Sequence, residues 1–80
     1  MSIPKFTPKQ GQYLAFIHMF TKLHRMPPSE ADLQEYFGTS PPTVHSMVVR
    51  LHEARLIDRT PRTPRSIRVV VDPEQLPALK

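Results

Sequence analysis

The chain has 80 residues, no cysteine and a formal net charge of +4. A chain this short makes one small domain with a thin core, and the absence of cysteine excludes a disulfide framework and thiolate metal sites. No run of about 18 apolar residues is present to span a bilayer, and the opening MSIPKFTPKQ lacks the apolar stretch of a secretion signal, so a soluble cytoplasmic protein with no membrane role is the expectation.

Thr7-Pro8-Lys9-Gln10 predicts a helix start, with Thr7 as cap, Pro8 in the first helical position and Gln10 completing a capping box. Tyr13, Leu14, Ile17, Phe20 and His24 then recur on one helical face, which gives a first helix from about Pro8 to His24. The segment RMPPS stops it, because the residue before a proline avoids helical geometry. Phe16, Met19 and Leu23 widen the apolar surface beyond a single stripe.

Ser29 caps a second helix, with Glu30 and Asp32 at its positive end and Leu33, Tyr36 and Phe37 as its apolar side. Gly38 ends it and Thr39-Ser40 makes a tight turn. The third helix opens on Ser40 as cap, followed by Pro41 and Pro42 in the first turn, where amides are unpaired anyway. Val44, Met47, Val48 and Leu51 form its inward stripe. His45, Ser46, Val49, Arg50 and Glu53 face the other way, with Thr43 at the flank.

The period then changes. LIDRT reads as a short strand, PRTPR as a turn and SIRVVV as a second strand with Ile67, Val69 and Val71 on one face. A lone hairpin is marginal, so this one must pack on the helices. The expected domain covers residues 1–71, and DPEQLPALK, residues 72–80, is an irregular tail. No internal repeat or low-complexity segment is expected.

Helix, short helix, tight turn, longer helix and basic hairpin together predict a mainly α fold with a small β-hairpin: a winged helix-turn-helix of three helices and a two-stranded wing. In that architecture the second helix of the pair enters a DNA major groove and reads base edges with its N-terminal residues. An abrupt start at Pro41 and Pro42 brings the helix tip to the bases without an intervening loop. Thr43, His45 and Ser46 offer short hydrogen-bonding groups there, and amides at the helix start can hold a phosphate. Arg50, Arg55, Arg59, Arg62, Arg65 and Arg68 crowd the stretch from the third helix to the second strand, opposed only by Glu53 and Asp58. Arginine suits forked hydrogen bonding to phosphate better than lysine does. Each feature alone is ordinary: Ser-Pro is a common cap, and a surface histidine or arginine is usually just solvated. Their order along the chain carries the reading.

On these residues the chain resembles the DNA-binding domain of the LexA repressor family. The shared features are TPKQ, MPPS, the Gly38 turn, SP opening the third helix, LID entering the wing and IRVV leaving it, over roughly residues 7 to 70. The resemblance implies a winged helix-turn-helix that reads DNA. In that family the start of the reading helix uses an Asn and adjacent acidic residues. Pro42, His45 and Ser46 stand at the matching positions here, which implies a shared scaffold with a different target. The family's dimerising Ser/Lys protease domain has no room in 80 residues, so a stand-alone module or a piece of something longer is the expectation. At the positions of Met19 and Leu23 the family is polar.

The expectation is therefore a sequence-specific double-stranded DNA-binding transcriptional regulator. Pro42, Thr43, His45, Ser46 and Val49 are the expected base contacts; Ser40, Arg50, Arg59, Arg62 and Arg65 are the expected backbone or minor-groove contacts. A homodimer is expected through Phe16, Met19, Leu23, Leu76 and Leu79, unless the tail folds back over its own first helix. No cofactor, metal or catalytic role is expected. Glycine occurs only at 11 and 38, so there is no phosphate loop. His45 and His52, or His18 and His24, are badly spaced to share a metal, and adjacent His45 and Ser46 point about 100° apart on a helix. The alternative is a winged-helix protein-interaction module whose basic wing docks an acidic partner. Salt dependence and competition by duplex DNA separate the two.

Overall fold

The structure is a computed structural model that describes residues 5–80. α1 (Pro8–His24) begins with the capping box that the sequence spells out. Thr7 Oγ1 accepts from the Gln10 amide, and the Gln10 side chain accepts from the Thr7 amide. The helix ends at Arg25, which takes a left-handed conformation and donates its N–H to Thr21 O at 2.8 Å. The stop thus acts before the proline pair, at a residue that closes the last turn as glycine commonly does.

α2 (Glu30–Phe37) repeats the device: Ser29 Oγ accepts from the Asp32 amide, and Asp32 Oδ2 accepts from the Ser29 amide at 2.9 Å. That amide and the Ser29 hydroxyl, with help from the Arg65 guanidinium, hold the Asp32 carboxyl below its ordinary pKa. Gly38 is left-handed at φ 60° and donates to Gln34 O. α3 (Pro41–Glu53) follows after Thr39 and Ser40.

Ser40 occupies the capping position of α3 but makes no side-chain cap bond. Its hydroxyl shares a 2.9 Å hydrogen bond with Thr43 Oγ1 instead, so the expected cap is replaced by a hydroxyl pair. The proline pair fixes the helix start without it.

β1 (Ile57–Asp58) and β2 (Arg68–Val69) pair antiparallel, Ile57 opposite Val69 and Asp58 opposite Arg68. Alternation along the hairpin turns Ile57, Ile67 and Val71 inward, while Arg68 and Val70 face solvent. The strands are shorter than the sequence pattern suggests, and the TPRTPR segment between them is occupied by turns. The Thr63 amide donates to Thr60 O at 3.2 Å around Pro61 and Arg62, and Ser66 Oγ lies 2.9 Å from Thr63 O around Pro64 and Arg65. Ser66 Oγ also accepts from the Thr60 amide, which ties the base of the loop. The tandem Thr-Pro-Arg is thus a short structural repeat, although the sequence reading expected none.

The core lies where α1, α2 and α3 meet the hairpin: Tyr13, Leu14, Ile17, Leu33, Val44, Val48, Leu51, Leu56, Ile57, Ile67 and Val71. Tyr13 stacks on Phe37 with centroids 4.1 Å apart, and its burial raises the phenol's pKa. Two residues of the expected α1 stripe lie further out. Phe20 is half-buried, and His24 is exposed, its ring tilted against that of Phe20 with centroids 4.2 Å apart.

The tail is more ordered than an irregular segment. Asp72 caps a 3-10 turn (Pro73–Gln75), and Leu76 packs against the core. The Gln12 side chain then holds the last residues from both sides, donating to Ala78 O and accepting from the Lys80 amide, each at 2.9 Å. Pro77 and Phe6 crowd Gly11 so closely that a Cβ there would sit 3.0 Å from each. The tail therefore lies in cis over the first half of α1. Phe16 also packs internally, stacked on Tyr36 at 4.4 Å. Met19 at 42% exposure and Leu23 at 70% stay open.

Candidate nucleic-acid interface

Val44, Val48 and Leu51 are fully buried and fasten α3 to the body, so its other face must point outward. Of the expected base-reading residues, Pro42, Thr43, His45 and Ser46 are exposed and Val49 is half-buried. Pro42, Thr43, Ser46, Met47 and Arg50 line a shallow depression along this face. Proline has no N–H, so the main-chain donors left at the helix tip are those of Ser40 and Thr43. The tip offers fewer amides to a phosphate than an ordinary helix start.

The arginines divide. Arg50 and Arg62 are exposed, as is Arg68 on β2, which sequence reasoning counted as charge without giving it a role. Arg59 is half-buried, with its Nε enclosed and unpaired. Arg65 turns back on the protein. Its Nη1 donates to Asp32 Oδ2 at 3.0 Å and to Pro27 O at 3.2 Å, and its guanidinium lies 6.0 Å from the Phe20 ring centroid. Arg65 thus buttresses the wing against the start of α2. Arg59, Arg62 and Arg65 share a cleft with Ser29 and Glu30 between wing and helix.

Arg62 and Arg65 both sit at the left-handed position after a proline, with φ of 63° and 56°. Each Pro-Arg pair makes a tight turn of the kind that usually places glycine second. Thr-Pro-Arg written twice is the sequence signal for this arrangement.

Sequence reasoning assigned Glu30 only to the helix dipole. The structure adds a partner: both Glu30 carboxylate oxygens lie 3.3 Å from His45 Nδ1. Among the described residues, no group of three or more His, Asp or Glu side chains is placed to hold a metal, and no helix is long and apolar enough to cross a membrane.

Three helices, with an outward-facing third helix beside a two-stranded hairpin, define a winged helix-turn-helix domain. The chain belongs to the LexA DNA-binding domain family, whose model matches residues 3–66. It is 37% identical over 73 residues to a LexA repressor of Exiguobacterium sibiricum, covering 89% of this chain and 36% of that protein. It is 33% identical over 75 residues to a LexA repressor of Magnetococcus marinus, covering 92% of this chain and 32% of that protein. The chain therefore spans about a third of the length of these curated relatives.

Proposed function

We propose that the chain binds double-stranded DNA sequence-specifically and regulates transcription, reading the major groove with α3 and touching the backbone or minor groove with the wing. The observation that carries this reading is the tip of α3. Pro42, Thr43, His45 and Ser46 stand exposed there, on a helix whose other face is locked in the core, with the Arg62 wing alongside.

Helix and wing should fail differently. His45→Ala or Ser46→Ala should change which sequence is enriched from random duplexes, at about 1–3 kcal/mol per lost base contact. Arg62→Ala should weaken all sequences alike and flatten the salt slope by about one unit. An unchanged motif in both helix variants would remove α3 as the reading element.

Two copies on a palindromic site is the assembly we propose, because one winged domain covers few base pairs. The tail in cis engages Leu76 and leaves Leu79 half-buried, and Phe16 packs internally, so the pairing surface narrows to the exposed Met19 and Leu23 on α1. Sedimentation at tens of micromolar should show a dimer for the wild type and a monomer for Met19→Glu/Leu23→Glu. A wild-type monomer that binds a single asymmetric site would rule the dimer out.

A further inference from the structure

His45 is tied to a residue outside the reading helix. Its Nδ1 lies 3.3 Å from both oxygens of Glu30, at side-chain exposures of 59% for the histidine and 32% for the glutamate. Glu30 belongs to the first turn of α2, where the helix end favours a negative charge. A carboxylate oxygen accepts hydrogen bonds and does not donate them, so the nitrogen facing it must carry the proton. In a neutral imidazole with a proton on Nδ1, the other nitrogen, Nε2, is a lone-pair acceptor.

We propose that Glu30 is a specificity-determining residue that acts through His45: it fixes the tautomer in which Nε2 accepts, and so directs His45 to an exocyclic amino group in the major groove. Only adenine N6 and cytosine N4 offer such a donor there, whereas guanine N7 and O6, thymine O4 and adenine N7 are acceptors. The inference rests on the DNA-reading role of α3 proposed above and adds which base edge His45 takes. A donor in place of Glu30 inverts the logic. Lysine has only donors, so it would leave the proton on Nε2 and turn His45 toward acceptors: guanine N7 or O6, thymine O4 or adenine N7.

The test is selection from random duplexes at about pH 8.5, where imidazole side chains are neutral, with the wild type and the variants Glu30→Lys, Glu30→Gln and His45→Ala, each checked for helix content by circular dichroism. The wild type should favour adenine or cytosine at one position by at least about fivefold. His45→Ala should flatten that position, and Glu30→Gln should weaken its preference. Glu30→Lys should exclude cytosine there and admit guanine or thymine, with adenine still tolerated through its N7 acceptor. Preference within one protein is a ratio, so a uniform gain of affinity from the new lysine does not affect it. If Glu30→Lys leaves discrimination against guanine and thymine unchanged at the position that His45→Ala flattens, the role of Glu30 is overturned while DNA reading stands. A keto base preferred by the wild type at that position, or no position flattened by His45→Ala, also overturns it. If the wild type enriches no sequence at all, the DNA-reading role fails and this inference falls with it.

Discussion

Raising the salt from about 50 to about 200 mM should weaken binding to duplex DNA by roughly 250- to 1,000-fold, a log–log slope of roughly −4 to −5. That slope corresponds to about four to six neutralised phosphates. The arginines proposed to meet them are not equivalent. Arg50, Arg62 and Arg68 are exposed, Arg55 follows α3 in the open, and Arg59 is half-buried. Arg65 already has Asp32 as counter-charge at 3.0 Å and should add less than the others. The prolines at the tip of α3 remove two main-chain donors, which shifts the load further onto guanidinium groups. Fluorescence titration of labelled duplex across a salt series measures the slope. A slope near zero, or binding that excess duplex does not compete, would leave the protein-interaction alternative standing.

Leu33→Ala should cost about 2–5 kcal/mol of stability, a large share of the about 4–12 kcal/mol available to a domain of this size. Leu33 is the only residue of α2 that is buried, and it is fully so. α2 otherwise holds to the body through the half-buried Phe37, the Tyr36 ring stacked on Phe16, and the side-chain contacts of Glu30 and Asp32 near its start. The same short helix carries Asp32, which anchors Arg65 of the wing, and Glu30, which meets His45 of α3. Loosening α2 should therefore disturb helix tip and wing together, and DNA affinity should fall with the urea midpoint. A loss below about 0.5 kcal/mol, the range of ordinary surface changes, would show that α2 is held by something other than Leu33.

Helix boundaries were legible because their chemistry is local. Thr7 with Gln10, Ser29 with Asp32 and Gly38 each act within one turn, and the structure begins α1, and begins and ends α2, where those residues require. The outward face of α3 was legible for the same reason, since helical period alone separates Val44 and Val48 from His45 and Ser46. Ser40 escaped this logic because a competing hydroxyl three residues on took its side chain. The contacts that shape the interface were not legible. Arg65 to Asp32 spans 33 positions, His45 to Glu30 spans 15, and Gln12 to the Ala78 carbonyl spans 66. Such pairings depend on how finished elements lie against one another, and periodicity carries no record of that. Arginines read as equivalent charges in the sequence thus divide into open and engaged ones.

Four arginines, Arg25, Arg55, Arg62 and Arg65, hold left-handed backbone, while glycine takes that conformation only at Gly38. An L-residue forced there gives up roughly 1–2 kcal/mol relative to right-handed geometry. Selection for folding alone would drift such positions toward glycine or asparagine. The wing carries arginine instead, so a turn that could relax presents a guanidinium at its tip. If Arg62 makes the wing contact proposed for it, stability and activity oppose each other there: a more robust domain is one substitution away, and it would be a weaker ligand for a polyanion.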